Sequence, residues 1–327
     1  MLTLVRKILL LSRNMLQTIR NYIEVLKVRE TLLLGFLGLC SVIIASHTHP
    51  EIVLLPLRSF LWLHWNPYEH YFAESWTILL ATVTILIASG GANGLTNYLD
   101  RDVDARMQRT KNRVFPSQRI YPAEKGLVWI LFLIVVGLVL SWVLHLYVFL
   151  ANLIGTIAAV VFRKRVICVF PQGVIASCAP VLMGWFAVRS DVSMELILLC
   201  LLIVVWLPLH VWSVMVSHRD DYIGAGLTFF PMSVSVRTAV GILLIFACLL
   251  NVVSIALFFV AGYSLLYLIV ALVLGAAMLG TTVRLFISHT SRNAWKLYKL
   301  SSFPYMGLIF LIICLSLWLD ICHWGAL

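Results

Sequence analysis

Charge is scarce in this sequence: 12% of its 327 residues are charged, and only 14 are Asp or Glu. Hydrophobic residues make up 62% of the chain, which is more apolar surface than a soluble domain of this length can bury. The strict apolar and polar alternation of membrane β-barrel strands is also lacking. These absences exclude a soluble enzyme and predict a membrane protein built from α-helices.

The cysteines form no recognised motif, and the basic residues do not cluster in one segment. The seven cysteines are odd in number, and none has the CxxC or CxxCH spacing. A disulfide framework, a zinc site and covalently attached heme therefore have no support. The formal net charge is +10, but the basic residues are spread over many segments. We therefore predict membrane lipid, and not nucleic acid, as a partner of this protein.

Apolar windows long enough to cross a hydrocarbon core of about 30 Å recur along the chain. They predict an all-α polytopic membrane bundle of about nine transmembrane helices. The predicted spans are residues 31–47, 76–96, 127–144, 146–162, 170–187, 195–216, 238–260, 263–284 and 302–319. Residues 1–30 are predicted to form a basic amphipathic segment on the membrane surface, and residues 31–327 a single transmembrane domain.

Lys and Arg predict the orientation of this bundle. With the N-terminus inside, only Arg58 and Arg189 of the 24 Lys and Arg residues fall outside. This bias follows the positive-inside rule and predicts a cytoplasmic N-terminus and an outside C-terminus. We expect a prokaryotic plasma (inner) membrane location, with the long charged loops, and any chemistry that uses charge, on the cytoplasmic side.

Carboxylates and amides gather at the end of the second span. At about 100° per residue, Asn93, Asn97, Asp100 and Asp104 fall on one face of a helix, whereas Asp102 points away. Two carboxylates one turn apart repel each other at the edge of a low-dielectric medium and need a compensating cation. Mg²⁺ suits this place because it takes one or two carboxylates and leaves its other positions to water and phosphate.

Basic residues follow this cluster, and a second acidic pair ends span six. Arg109, Lys111 and Arg113 are predicted to bind the rest of a diphosphate. Asp220 and Asp221 fall on the same predicted side of the membrane. Two acidic clusters facing one compartment predict a cage for two metal ions and one diphosphate. The alternative is a solvated helix end whose Asp and Arg residues pair with near neighbours.

A histidine lies inside span six. If that helix is unbroken, His210 and Asp221 share a face and lie about 16 Å apart along the axis. An ionisable group within a span is a functional hypothesis, so His210 is a candidate contact for an acceptor substrate. A buried neutral imidazole bonded to a neighbouring helix is the alternative interpretation.

Taken together, these residues resemble the UbiA superfamily of intramembrane prenyltransferases, and within it the branch that prenylates heme. The resemblance covers spans two to nine in family order. It is carried by residues 97–113, 163–165, 180–185, 210–212, 221–222 and 294–302. One departure is Thr96, which stands where the first motif of the superfamily usually has Asn.

The resemblance implies a central cavity open to the lipid and a prenyl diphosphate bound through Mg²⁺ by aspartates. The implied catalytic and metal-binding residues are Asp100, Asp104 and Asp221, with Asp220 as an additional metal ligand. The predicted diphosphate contacts are Asn93, Asn97, Arg109, Lys111, Arg113 and Lys164. The predicted acceptor contacts are His210, Trp212 and Tyr222.

The reaction implied by the resemblance is transfer of a farnesyl group from its diphosphate to heme b. The farnesyl carbon joins a vinyl group, and water completes a hydroxyethylfarnesyl side chain. Prenylation of a quinone precursor or another aromatic acceptor is the nearest alternative. A transporter that uses the same aspartates is a different class, and it predicts acidic residues near the middle of the bilayer. A binding-only scaffold is a further alternative if Thr96 has abolished turnover.

Overall fold

The computed structural model describes residues 15–47, 69–161 and 169–324, and the side chains within them except at 69–75 and 319–324. Every regular element in these residues is a helix. The first half contains α1 (residues 15–24), α2 (Val28–His47), α3 (Glu69–Asp104), α4 (Glu124–Leu144), α5 (Leu146–Val160) and α6 (Gln172–Phe186). The second half contains α7 (Met194–Ser217), α8 (Arg219–Gly224), α9 (Val236–Ala261), α10 (Leu265–Ser288), α11 (Ser291–Ser301) and α12 (Phe303–Trp324).

Each predicted span coincides with an apolar helix in the described part of the chain. Seven stretches are long and apolar enough to cross a membrane, the last of them running from α11 into α12. The other two helices, α5 and α6, have 15 residues each, fewer than the roughly 20 that cross a bilayer. The predicted all-α membrane bundle is confirmed, and the count of nine spans is approximate.

Helices α2 and α6 approach each other closely because glycines face each other. A Cβ added at Gly184 would collide with the backbone carbonyl oxygen of Gly38. Beside this contact the Ser41 hydroxyl donates a hydrogen bond to the Val181 carbonyl at 2.7 Å. Small residues and interhelical hydrogen bonds are how membrane helices pack without a hydrophobic driving force.

The segment between α3 and α4 packs on a small core of its own. Val114, Phe115 and Ile120 are buried there together with Val25, which follows α1, and Ile130 of α4. This packing holds the basic segment of residues 105–123, which follows α3, against α4 and the residues after α1.

The end of α1 also carries an ion pair to this segment. Arg119 donates two hydrogen bonds to the Glu24 carboxylate, at 2.8 and 2.6 Å. These bonds lower the pKa of Glu24 from its ordinary value. Met15, Leu16, Ile19 and Ile23 of α1 are exposed. Residues 1–14 lie outside the described residues, so the amphipathic segment 1–30 stays a prediction.

The helix that carries His210 does not continue to Asp221. Helix α7 ends at Ser217, His218 has a φ of −120° and a ψ of 35°, and α8 begins at Arg219. The Arg219 guanidinium donates hydrogen bonds to three carbonyls of the segment after α8, those of Pro231, Met232 and Val234. These bonds hold the chain in its new direction, so the shared helical face that an unbroken helix would give is not formed.

Candidate active site

The acidic face of α3 is buried at the end of the helix. Asp100 and Asp104 have exposed fractions of 3% and 0%, and Asn97 has 7%. The Asp102 side chain, in contrast, is 82% exposed. This burial pattern matches the helical face predicted from the sequence and places two carboxylates inside the bundle.

Asn97 adds an unsatisfied oxygen to this face. Its amide nitrogen donates to the Val25 carbonyl at 2.6 Å. Its Oδ1 atom is buried and has no hydrogen-bond partner among the described residues. Buried acceptors are normally paired, and carboxylate and amide oxygens are the ligands that hard cations prefer. The chemistry of Asn97, Asp100 and Asp104 therefore fits a magnesium ion.

Asp104 is held by the segment that follows it. Arg113 donates to its Oδ2 atom at 2.7 Å, and the Thr110 hydroxyl donates to its backbone carbonyl at 3.0 Å. The guanidinium of Arg113, a predicted diphosphate contact, therefore lies against the Asp104 carboxylate. Lys111, another predicted diphosphate contact, is exposed.

Asp221 contacts the backbone of the same segment. Its carboxylate accepts the backbone N–H of Gln108 at 2.6 Å and that of Arg109 at 3.1 Å. The Arg109 side chain donates to the Tyr222 hydroxyl at 3.0 Å. Asp220 is exposed. The second acidic cluster is therefore joined to the first through residues 108 and 109 of the connecting segment.

The four aspartates do not form a ready-made metal cage. In the described ranges, no group of three or more His, Cys, Asp and Glu side chains is placed to hold a metal ion. The reason is visible at Asp221, whose two oxygens both bind backbone N–H groups. A shared cage would need the phosphate oxygens of a substrate to complete it, which is how Mg²⁺ is commonly bound.

A cavity of about 340 Å³ lies between α2, α3, α5, α6 and α7. Its wall includes apolar and small residues from each of these helices: Leu33, Ala88, Gly155, Ala179 and Leu207. Asn93 and Thr96 line the cavity on α3, so it reaches to within one helical turn of Asp100. Trp206 and His210 line it on α7. The mostly apolar cavity thus reaches to within one helical turn of the buried Asp100.

Lys27 is a residue of this site that the sequence did not single out. It lies between α1 and α2, and its ammonium group donates to the Thr96 hydroxyl at 2.9 Å. Its φ is +51°, an uncommon conformation for a residue with a side chain, and such conformations cluster at functional sites. The Lys27 cation therefore contacts a residue that lines the cavity one helical turn from Asp100.

The three predicted acceptor contacts have different surroundings. His210 lines the cavity, and its Nδ1 atom lies 3.2 Å from the Ser301 hydroxyl. Trp212 packs in an aromatic cluster whose other rings are Phe170, Phe230 and Phe246. Tyr222 is buried, with its hydroxyl bonded to Arg109. The structure therefore brings His210 to the described cavity wall and places Trp212 and Tyr222 elsewhere. Lys164 lies outside the described residues.

Comparison with known sequences gives one consistent result. The sequence model of the UbiA prenyltransferase family matches residues 53–303. The chain is 32% identical over 307 residues to protoheme IX farnesyltransferase of Desulforudis audaxviator, covering 92% of this chain and 90% of that protein. It is 34% identical over 233 residues to protoheme IX farnesyltransferase 1 of Picrophilus torridus, covering 69% and 77%.

Solved structures show the same fold at lower identity. One, from a study of digeranylgeranylglyceryl phosphate synthase in membranes, has a TM-score of 0.68 and 15% identity, covering 92% of this chain and 98% of that chain. A UbiA homolog from Archaeoglobus fulgidus bound to GPP and Mg²⁺ has a TM-score of 0.58 and 13% identity, covering 90% and 99%. These structures show the fold, and the family model together with the 32% identity over 92% of the chain shows that the chain belongs to the UbiA prenyltransferase family, as an integral membrane enzyme.

Proposed function

We propose that this prenyltransferase transfers a farnesyl group from farnesyl diphosphate to heme b in a Mg²⁺-dependent reaction. The observation that carries the proposal is the mostly apolar cavity that reaches to within one helical turn of Asp100, on the helix whose buried end carries Asp100 and Asp104. A prenyl diphosphate has the matching form, a long apolar tail with one strongly anionic end. The acceptor is proposed from the relatives named protoheme IX farnesyltransferase, one of which aligns over 92% of this chain.

The anionic end of the substrate is assigned to the end of α3. Asp100 and Asp104, with the Asn97 amide oxygen, would hold Mg²⁺, and Asp221 would complete the site from α8. Bound Mg²⁺ supplies Lewis-acid stabilisation of the departing diphosphate. Arg113 and Lys27 would bind remaining phosphate oxygens, because a guanidinium and an ammonium both form charge-assisted hydrogen bonds to phosphate.

The reaction begins when the allylic C–O bond breaks and its electron pair leaves with the diphosphate. The resulting carbocation needs walls that cannot react with it, and Leu33, Ala88 and Ala159 of the cavity offer only hydrocarbon. The farnesyl carbon that has lost the diphosphate then bonds to the outer carbon of a heme vinyl group. Water adds to the cation left on the inner carbon and loses a proton, which gives the hydroxyethylfarnesyl side chain.

The setting of the enzyme is also proposed from the sequence. The positive-inside bias favours a cytoplasmic N-terminus and an outside C-terminus, and the location proposed is a prokaryotic plasma membrane. The carboxylate end of α3 would then face the cytoplasm, where soluble diphosphates and Mg²⁺ are available. A quinone precursor is the competing acceptor, since it would use the same diphosphate site.

A direct test uses purified protein in lipid nanodiscs with Mg²⁺, farnesyl diphosphate and an equal mixture of heme b and 4-hydroxybenzoate. Mass spectrometry should show heme b increased by the mass of a farnesyl group plus a hydroxyl, and EDTA should abolish this product. Asp100→Asn should abolish it as well, whereas Asp102→Asn, which changes an exposed carboxylate on the opposite face, should not. Prenylated 4-hydroxybenzoate with unmodified heme would overturn the choice of acceptor.

A further inference from the structure

The His210 ring is fixed between two aromatic side chains. Trp206 stacks on it with a centroid distance of 5.0 Å and an interplanar angle of 16°, and Tyr298 with 4.8 Å and 30°. Trp206 also donates its indole N–H to the Ser301 carbonyl, which joins α7 to the end of α11. With both faces covered, the ring presents only its edges to other groups.

One edge of the ring meets Ser301, and the proton on that edge can be assigned. The Ser301 hydroxyl lies 3.2 Å from His210 Nδ1 and 2.9 Å from the Tyr298 carbonyl oxygen. A hydroxyl has one proton to donate, and a carbonyl oxygen only accepts. Both contacts are hydrogen bonds only if Ser301 donates to Tyr298 and His210 Nδ1–H donates to Ser301. A neutral imidazole in this tautomer has its free lone pair on Nε2.

His210 also forms part of the cavity wall and is only partly buried. Within the described ranges, the one hydrogen bond of the ring is that to Ser301. The lone pair of Nε2 is therefore available to a ligand in the cavity. An imidazole whose Nδ1–H is held by a second group, with Nε2 bare, is the usual form of a metal-ligating histidine.

We propose that His210 coordinates the iron of the acceptor heme through Nε2, and that Ser301 is the positioning residue that sets this tautomer. The inference rests on the proposed function, since heme iron is the metal that this acceptor carries into the cavity. Histidine is a common axial ligand of heme iron. Coordination fixes the heme macrocycle at one point of the cavity wall, whereas stacking of the macrocycle against side chains alone would let it slide. It also distinguishes heme from a metal-free aromatic acceptor.

The test is a titration of the purified protein with heme b and, separately, with metal-free protoporphyrin IX. Heme b bound to the unchanged protein should give the Soret band and electron paramagnetic resonance signals of a histidine-ligated iron. His210→Ala should remove these signals and weaken heme binding, while protoporphyrin IX binding should change little. His210→Gly with added imidazole should recover the ligated spectrum, which shows that the protein with this substitution is still folded.

Matched variants separate the role of Ser301 from general packing. Ser301→Ala should weaken heme b binding by about 10- to 100-fold, as loss of such a second group typically does. Ser302→Ala is the matched serine, because its hydroxyl also bonds to the Tyr298 carbonyl, whereas in the described part of the chain the His210 ring is hydrogen-bonded to Ser301. His145→Ala is the matched histidine, placed between α4 and α5. Both controls should leave the spectrum unchanged.

The outcomes distinguish this inference from the proposed function. If heme is prenylated but its spectrum is the same in the unchanged protein and in His210→Ala, only the coordination by His210 is overturned. If the unchanged protein neither binds nor prenylates heme and instead modifies 4-hydroxybenzoate, the proposed acceptor is overturned, and the coordination by His210 with it.

Discussion

The backbone of Arg109 is bound by the carboxylate of Asp221, with 3.1 Å between the Arg109 nitrogen and the Asp221 Oδ2 atom. The Arg109 side chain then donates to the Tyr222 hydroxyl at 3.0 Å, so both parts of this arginine contact α8. Asp221 is thus a cap for the segment after α3, in addition to its proposed role in metal binding. A substitution there changes the shape of the site as well as its charge.

We predict that Asp221→Asn increases hydrogen exchange at residues 105–113. An amide in this position offers one acceptor oxygen to two backbone N–H groups, and a hydrogen bond to a charged group is worth about 1.5–3 kcal/mol. Prenyl transfer should fall at least about tenfold, since 1.4 kcal/mol corresponds to a factor of ten. Exchange mass spectrometry measures the first effect. Asp220→Asn, at the exposed neighbour, should leave exchange in this segment unchanged; equal exchange in the two variants contradicts the prediction.

We predict that Lys27→Met raises the KM for farnesyl diphosphate by about tenfold or more, because one charge-assisted bond to phosphate is lost. Steady-state kinetics measures the KM for each substrate, and the KM for heme should change less than that for farnesyl diphosphate. Thr96→Val removes the hydroxyl that Lys27 contacts at 2.9 Å without changing the side-chain size. It should raise the same KM by a smaller factor, since the ammonium remains but is less well positioned. Unchanged KM in Lys27→Met would remove Lys27 from the diphosphate site.

Local sequence patterns predicted the acidic face of α3 because helical geometry relates Asn97, Asp100 and Asp104 within one element. They could not predict the contact between Lys27 and Thr96, which are 69 positions apart and meet only through the packing of α1 and α2 against α3. The capping of residue 109 by Asp221 is non-local in the same way, at a separation of 112.

The break in the helix after His210 was not predicted from the sequence either, but for a different reason. Periodicity continues through residues 210–221, and no proline or glycine marks an end there. The break is stabilised by Arg219, whose guanidinium binds carbonyls up to 15 positions away. A helix end of this kind depends on the conformation of a later segment, which the residues around the break do not encode.

We predict that substitutions at Asp104 and Arg113 affect stability and activity differently. Arg113→Gln removes the guanidinium that lies 2.7 Å from a buried carboxylate, so it should lower stability by about 1–3 kcal/mol. Asp104→Asn in the same protein removes the charge that needed compensation and should restore part of that stability. Prenyl transfer should be lost in Asp104→Asn and in the double variant alike. Thermal unfolding and product formation, measured on the same preparations, check this; recovery of activity in the double variant would contradict it.

We predict that the pair of Glu24 and Arg119 stabilises the protein at neutral pH and not in acid. The two hydrogen bonds from Arg119, and then its charge, hold the pKa of Glu24 below its ordinary value of 4.5. A carboxyl whose pKa is lowered by folding adds stability above the unfolded pKa, and that stability is lost as the pH falls through the folded pKa. Glu24→Gln should therefore melt at a lower temperature than the unchanged protein at pH 7, and this difference should shrink below about pH 4.5. The pair is partly exposed, so the effect should stay within about 1 kcal/mol.

Arg119→Gln serves as the matched variant for this pair, because the interaction needs both partners. It should show the same pH dependence as Glu24→Gln, and the double variant should be no less stable than the less stable single variant, as expected for two residues that act through one contact. Arg119 also donates to the Asn112 carbonyl at 3.1 Å, so its single variant should be the less stable of the two at every pH. Additive losses, or a difference between Glu24→Gln and the unchanged protein that does not shrink as the pH falls below about 4.5, would mean that the carboxylate acts through something other than Arg119.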